Sequence, residues 1–510
     1  MAAAERIDAL YTAAQVRAAE APLLAALPEG TLMRRAAHGL ATVVARTLRS
    51  RTGRIAGTAV TVLVGGGDNG GDGLWAGAML RRRGVAVTAV LLDPARAHPA
   101  GAAALRAAGG RLIPAADTGG AAPAALAATA AADLVVDAIV GIGGRGPLRP
   151  TAAALVSAVR APIVAVDLPS GIDPDTGATD GPAVRAAVTV TFGAVKPALL
   201  LAADRCGRVV PVDIGLKLPD PHARVLTESA VGALWPVPAA ADDKYSQGVV
   251  GVVAGGPGYP GAAVLAVGGA LAATSGLVRY AGAEHAAVVR AHPEAVVTAS
   301  VAAAQRVQAW VAGPGMGTGA DAERTLARLA ATDLPLLIDA DAVTVLARRP
   351  ELTGGRRAPT VLTPHDREFA RLAGHPVGPD RIAAARGLAA RLSATVLLKG
   401  RATIIAGPDG DTVVSEAGGS WAATAGSGDV LAGMIGALLA AGLPAVTAAA
   451  AADRVHGLAA RAAATGDVDG DHGGVGAPIH ARQISAHIPA AVRRVRSAAT
   501  GPGGTMTPRE

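Results

Sequence analysis

Gly426-Ser427-Gly428-Asp429, followed at once by an uncharged apolar run, is the stretch of this sequence best equipped for chemistry. Glycines let a backbone turn tightly and aim successive N–H groups at one point, and a helix that starts there adds the positive end of its dipole. The result is a cradle for an anion such as phosphate. Asp429 stands at its rim, where a carboxylate suits a base that takes a proton from an attacking hydroxyl. The same residues also make an ordinary helix start. Lys399, one of only four lysines in the chain beside Lys196, Lys217 and Lys244, ends an apolar run in Lys399-Gly400-Arg401-Ala402-Thr403. A compact ammonium there suits a nucleotide phosphate, or simply a solvated strand end.

The elements that must position these groups read as alternating strands and helices. Residues 12–50 form two helices, and Ala59–Val64 is a β-branched run ending in Gly65-Gly66-Gly67-Asp68-Asn69-Gly70-Gly71-Asp72-Gly73. A helix to Arg83 and a strand over Val85–Leu92 complete a parallel βαβ unit. Leu134–Val140 leads into Gly141-Ile142-Gly143-Gly144-Arg145-Gly146-Pro147, and Ile163–Asp167 into Leu168-Pro169-Ser170-Gly171-Ile172-Asp173. Ligands of parallel sheets bind beyond the carboxyl ends of strands, so these acidic turns share one crevice. Singly, each is an Asx turn or cap. Further on, Val249–Ala254, Trp310–Ala312, Leu334–Ile338, Val361–Leu362 and Thr395–Leu398 are strands, several ending in Gly, Asp, His or Lys. His365 is either a functional imidazole or a capping one.

Composition narrows the classes. At 510 residues the chain exceeds one domain, and with 51% apolar but 2% aromatic residues its cores must be built of Ala, Val and Leu. The net charge of +7 is dispersed, which disfavours a nucleic-acid face. The lone Cys206 excludes an internal disulfide and fits a cytoplasmic protein. Residues 1–10 lack an apolar leader, and Gly442 and Pro444 interrupt the uncharged run Val430–Ala452, so two buried helices are expected there and no membrane span. Residues 217–241, with four prolines, read as a linker, and 491–510 as a disordered tail.

The motifs G-G-G-D-N-G-G-D-G, V-V-D-A-I-V-G-I-G and V-D-L-P-S-G-I-D, followed by Lys196, resemble the YjeF N-terminal family, the epimerase domain of NAD(P)H-hydrate repair. The resemblance implies a Rossmann-like three-layer α/β/α domain over residues 1–216, with potassium at Asn69, Asp137 and Ser170 and Asp167 as acid/base. It puts the hydrate at Asp68, Asn69, Gly70, Gly71, Asp72, Gly141, Ile142, Gly143, Gly144, Arg145, Gly146, Pro147 and Asp167. Asp68 stands where Asn is usual, and Arg34 where Glu is. The motifs G-P-G-M-G, I-D-A-D-A, L-T-P-H, L-L-K-G-R-A-T and A-G-S-G-D-V-L-A-G resemble the ribokinase-like dehydratase of the same system, implying an α/β domain over 242–490. Here the resemblance assigns hydrate binding to Ala262, Gly317, His365 and Asp429, with Asp429 catalytic. ADP, with Mg2+, falls to Lys399, Gly400, Arg401, Ala402, Thr403 and Gly428. Asp366-Arg367 replaces a common Pro-Gly, and Gly419-Ser420-Trp421 an Asn-containing turn. The function implied is epimerisation of hydrated NADH or NADPH and ADP-dependent dehydration, by a homo-oligomer. The competing readings are a ribokinase-like small-molecule kinase and a non-catalytic N-terminal binding module.

Overall fold

The computed structural model describes residues 7–117, 120–274, 276–416, 419–466 and 475–500. The chain divides into two compact units between Ala223 and Arg224.

In the first unit the elements follow as α1 (Ala13–Ala26), α2 (Thr31–Thr52), β1 (Ala59–Val64), α3 (Asp68–Arg81), β2 (Ala86–Leu91), α4 (Pro99–Ala107), β3 (Arg111–Pro114), α5 (Pro123–Ala130), β4 (Leu134–Ala138), α6 (Pro150–Ser157), β5 (Ile163–Val166), β6 (Val188–Phe192) and β7 (Arg208–Val212). The strands make a parallel sheet in the order β7-β6-β5-β4-β1-β2-β3. Its central strands are apolar on both faces, as a sheet covered twice requires. Val60, Val62 and Val64 pack with α2, α3 and α4, while Leu63, Val135 and Ala165 pack with α5 and α6. The period of two thus sorts each strand between two helical layers, giving the three-layer α/β/α architecture.

The second unit contains α7 (Glu228–Leu234), β8 (Val249–Val253), α8 (Pro260–Ala273), β9 (Leu277–Tyr280), β10 (Val296–Val297), β11 (Ala309–Ala312), β12 (Leu336–Ile338), α9 (Ala340–Arg348), β13 (Thr360–Leu362), α10 (Asp366–Ala373), α11 (Arg381–Leu392), β14 (Thr395–Leu398), β15 (Thr403–Ala406), β16 (Thr412–Ser415), α12 (Ser427–Ala440), α13 (Ala445–Thr465) and α14 (Ala481–Thr500). Its strands run in the order β16-β15-β14-β13-β12-β11-β8-β9-β10, parallel from β14 to β10 and antiparallel at β15 and β16. Helices α8, α12, α13 and α14 bury Ala, Val, Leu and Ile against one face of this sheet. Among the described residues no helix is long and apolar enough to cross a membrane.

Two expectations need correction. Residues 217–241 are not a bare linker, because α7 lies within them, Val231 is fully buried and Trp235 donates to the Ala273 carbonyl at 3.0 Å. Residues 491–500 are not a tail. They continue α14, whose Ile484, Ile488, Ala491, Val495 and Ala499 are buried at helical spacing, and Arg494 pairs with Glu228 of α7 at 2.7 Å. The remainder of that expected tail, 501–510, lies outside the described residues.

Cores poor in aromatics pack by close backbone approach. A Cβ on Gly433 of α12 would stand 1.9 Å from the Ala266 carbonyl oxygen of α8, and one on Gly269 2.2 Å from the Val430 oxygen. These two helices carry Ala262 and Asp429. Gly433→Ala should therefore force α8 and α12 apart and cost roughly 1–3 kcal/mol, lowering the denaturant midpoint of the second unit. An unchanged midpoint would mean that the helices can slide without loss.

Candidate active sites

In the first unit the acidic turns converge as the strand order requires. Asp137 ends β4 fully buried. Its Oδ1 accepts from Ser170 Oγ at 2.7 Å and from the Ile139 N–H at 3.3 Å, and its Oδ2 accepts from the Ser170 N–H at 2.8 Å. Ser170 Oγ also accepts from the Val140 N–H at 3.1 Å. The next residue, Gly141, has no room for a side chain: its Cβ would lie 2.9 Å from Asn69 Oδ1 and 3.0 Å from Asp167 Oδ2. The turn Ile139–Gly141 thus gathers Asp137, Ser170, Asn69 and Asp167. Burial pushes the Asp137 carboxyl up to about 6, only partly offset by the Ser170 and Ile139 donors, and no cationic side chain is among the groups acting on it. Asn69 is buried, and its Nδ2 has no hydrogen-bond partner.

Asp167 sits in the left-handed region at φ 68°, a conformation that Asp tolerates better than most side chains and that aims it into the crevice. Its Oδ1 receives the buried Lys196 ammonium and, at 3.3 Å, the Thr191 hydroxyl; its Oδ2 receives the Ile142 N–H at 3.1 Å. Lys196 also donates to Thr191 Oγ1 at 2.7 Å. This ammonium–carboxylate pair is desolvated yet fully partnered, the condition under which buried charges persist. Burial, then the charge of Asp167, raise the pKa of Asp72 well above the ordinary carboxylate range, and the same causes raise Glu20 of α1. A cleft of about 1630 Å³ opens here. Asp68, Asn69, Asp72, Asp167 and each residue from Gly141 to Pro147 line it, whereas Gly70 and Gly71 do not. Those two glycines admit close packing instead: a Cβ on Gly70 would lie 2.3 Å from the Gly65 oxygen. Glu20, Thr191 and Lys196 complete the site. Glu20 carries no signal in its Ala-rich helix, but Lys196 could have been singled out by the scarcity of lysine.

In the second unit the organising contact is Lys399 Nζ to Asp339 Oδ1, at 2.6 Å. Asp339 ends β12 almost wholly buried and accepts from the Thr363 hydroxyl at 2.7 Å. The Lys399 N–H donates to the Pro364 carbonyl at 2.9 Å, fixing the end of β14 beside that of β13. A Cβ on Gly428 would lie 3.3 Å from Lys399 Nζ and 4.0 Å from Asp339 Oδ2, so the ammonium stands at the N-terminus of α12. The first turn of that helix leaves backbone N–H groups free for an anion. Burial draws the Lys399 pKa down, but Asp339, Glu368 and Asp429 outweigh it and hold it above its ordinary value. Asp429, in the same first turn, is pushed up to about 7 by burial and by Asp339 and Asp341, against the pull of Lys399. Behind them, His456 Nε2 lies 3.1 Å from both the hydroxyl and the carbonyl of Ser427, and burial drops its pKa to about 4.

His365 caps α10. Its Nδ1 accepts the N–H groups of Arg367 at 3.0 Å and Glu368 at 3.3 Å, which assigns the ring proton to Nε2 and leaves that half-exposed edge a donor. Of the two readings of this residue, capping is the one these contacts bear out. The Gly317 N–H donates to Asp341 Oδ2 at 2.9 Å, and Ala262 lies under Gly315, whose Cβ would come within 2.9 Å of it. In the rest of the lysine run, Arg401 pairs with Glu416 at 3.5 Å and Ala402 is buried. Thr403 is buried at the start of β15. The Asp366 departure has a partner, since Arg381 pairs with Asp366 at 2.9 Å and donates to the Lys399 carbonyl at 2.8 Å. Trp421 fills the space over Gly476, where a Cβ would come within 2.3 Å of the indole.

A family model described as NAD(P)H-hydrate dehydratase matches residues 250–470, and one described as YjeF-related protein N-terminus matches residues 29–198. The chain is 56% identical over 481 residues to the bifunctional NAD(P)H-hydrate repair enzyme Nnr of Mycobacterium leprae, covering 94% of this chain and 98% of that one. It is 57% identical over 443 residues to the protein of the same name from Mycobacterium tuberculosis, covering 86% and 91%. A solved structure of the ADP/ATP-dependent NAD(P)H-hydrate dehydratase from Bacillus subtilis, co-crystallised with ATP and Mg2+, is 28% identical and covers 53% of this chain and 98% of that one, with a TM-score of 0.47.

The contacts around Asp429 fix the direction of its titration. Its carboxyl, followed by 13C NMR of labelled aspartates, should titrate near pH 7. Lys399→Met should raise that midpoint by removing a cation, and Asp339→Asn should lower it by removing a like charge. Shifts in the opposite directions would refute the arrangement.

Proposed function

The chain belongs to the bifunctional NAD(P)H-hydrate repair enzymes, and on that footing we propose how its two sites share the repair. The second unit performs the ADP-dependent dehydration. Hydration of the reduced nicotinamide ring leaves a hydroxyl on the carbon beside the ring nitrogen, and hydroxide is a poor leaving group. Asp429 takes the proton of that hydroxyl as its oxygen attacks the terminal phosphorus of ADP, and AMP departs. The ring nitrogen's lone pair then expels phosphate, and loss of a proton from the adjacent carbon restores the reduced ring. Lys399 and the N–H groups of Gly426–Gly428 stabilise the charge on the transferring phosphoryl group. His365 Nε2, Gly317 and Ala262 border the hydrate. The observation that carries this reading is Lys399, held by Asp339 against Gly428 in the same turn as Asp429. Among the described residues no three His, Cys, Asp or Glu side chains are grouped to hold a metal. Magnesium would come with the nucleotide, held chiefly by its phosphates.

The first unit interconverts the R and S hydrates. A proton of the Lys196 ammonium, relayed through Asp167, leaves with the departing hydroxyl as water while the ring nitrogen's lone pair expels it, and the ring carbon becomes planar. Water returns to either face, and its proton goes back through Asp167 to Lys196. A potassium ion would fit Asn69, Asp137 and Ser170: the donors are oxygens, and the buried Asp137 carboxylate has no cationic side chain acting on it. Bound there, the ion supplies fixed positive charge. Asp137 and Ser170 also hold the Ile139–Gly141 turn against Asn69 and Asp167.

Asp167→Ala should therefore repair the S hydrate at a normal rate with ADP while the R hydrate persists, giving a fast phase and a slow tail in the recovery of reduced-nicotinamide absorbance. A tail like that of the unmodified protein would make the first unit a binding module. Equal slowing of both phases would make Asp167 structural. Replacing potassium by tetramethylammonium should slow epimerisation and spare dehydration of the S hydrate, and unaltered epimerisation would remove the ion from this site.

A further inference from the structure

The cleft of the first unit is charged unevenly. At the reacting end Asp167, Asp72 and Glu20 act on one another, and the Lys196 ammonium is committed to Asp167. That end offers a multiply charged anion no free ammonium. The hydrated substrate is a dinucleotide, and its diphosphate needs a seat elsewhere in the cleft. Of the arginines that line it, Arg17 is turned onto the Ile142 carbonyl at 2.8 Å and acts on Glu20. Arg145 faces Asp173 at 3.9 Å. Arg34, Arg96 and Arg149, the residue before α6, have no carboxylate partner among the described residues. Arg34 donates to the Glu29 carbonyl, and Asp93, on the loop of Arg96, accepts from the Ala95 N–H at 3.2 Å.

Arg96 lies across the glycine turn that starts α3. A Cβ on Gly66 would stand 2.8 Å from Arg96 Cβ and 3.5 Å from its Nε. The following Gly67 faces open space, with nothing within 4 Å of where its Cβ would be, and the unpaired N–H groups of the first turn of α3 begin there. Met33, the residue before Arg34, and the ring of His98, two residues past Arg96, both close on Gly71 of α3, at 2.7 and 3.1 Å from its Cβ position, while Arg34 itself is exposed and lines the cleft. An independent sign of a ligand is Asn69, the second residue of α3. It is 8% exposed and lines the cleft, and its Nδ2 donor has no acceptor.

We propose that Arg96, with Arg34 and the Gly66–Gly67 turn, seats the diphosphate of the hydrated dinucleotide in the epimerase cleft. The inference rests on the reading of this cleft as the epimerase site. A planar guanidinium over a glycine turn offers paired donors to phosphate oxygens where backbone N–H groups can approach as well. Asn69 then supplies a donor to the bound substrate between this seat and Asp167. Because the diphosphate is common to NADH and NADPH hydrates, the seat serves both.

The test uses the full chain and its Arg96→Ala and Arg96→Lys variants, with each hydrate as substrate for epimerisation and inorganic pyrophosphate as a competing probe. Arg96→Ala should raise KM about tenfold for both hydrates, with kcat within about twofold, and weaken pyrophosphate inhibition by a similar factor. Arg96→Lys should recover part of each, and dehydration of the S hydrate should be untouched. Unchanged KM and inhibition would overturn the proposal. A rise confined to the NADPH hydrate would place the ribose 2′-phosphate there instead and overturn it equally. Wild-type epimerisation by Asp167→Ala would bring down the reading of the cleft and the seat with it, whereas a dependence on Asp167 with indifference to Arg96 brings down the seat alone.

Discussion

An ammonium gripping a buried carboxylate is the contact on which each site depends. In the second unit Lys399 holds Asp339 at 2.6 Å, and in the first Lys196 holds Asp167. Neither pair is a source of stability by itself, because removing two charges from water costs about as much as their attraction returns. What the pairs supply is position. Lys399 links the ends of β12, β13 and β14 to the head of α12, and its charge limits how far Asp429 is driven up. Lys196 ties β6 to the strained residue that follows β5.

Both arrangements follow from one constraint of parallel sheets. Every strand delivers its last residue to the same edge, so Asp137 and Asp167 in one unit, and Asp339, Thr363 and Lys399 in the other, arrive side by side without any long-range recognition beyond strand order. The helices that start from that edge present unpaired N–H groups to it. An alanine-rich core suits this plan. Where Gly433 and Gly269 let α8 and α12 touch backbone to backbone, the site residues at their heads are held by rigid elements.

Much of this was legible in the sequence, for physical reasons. Buried parallel strands are continuous β-branched runs, and their polar last residues stand out against them, so Asp137, Asp167 and the Gly428-Asp429 turn were visible. Spacing could not reveal partners contributed from elsewhere. Glu20 lies in an Ala-rich helix with no motif, and His456 reads as one polar residue in a buried helix until its ring is seen on Ser427. The two misjudged segments share a cause. Prolines concealed the short helix α7, and the arginines and glycines near the C-terminus outweighed the period of Ile484, Ile488, Ala491 and Val495, which buries one face of α14. Gly70 and Gly71 pack α3 against its surroundings and are not among the residues that line the cleft.

If each unit carries one complete half of the repair, as proposed, intact halves on two different chains suffice. The most direct measurement supplies the resolved R hydrate and ADP to an equimolar mixture of Asp167→Ala and Asp429→Asn proteins. Alone, the Asp167→Ala protein should consume the R hydrate only as fast as it interconverts spontaneously, and the Asp429→Asn protein should epimerise it without restoring reduced nicotinamide. Mixed, they should restore reduced nicotinamide at a rate set by the intact epimerase of one and the intact dehydratase of the other. A mixture no faster than either variant alone would contradict the account, because it would mean that both residues serve a single site or that both steps need one undamaged chain.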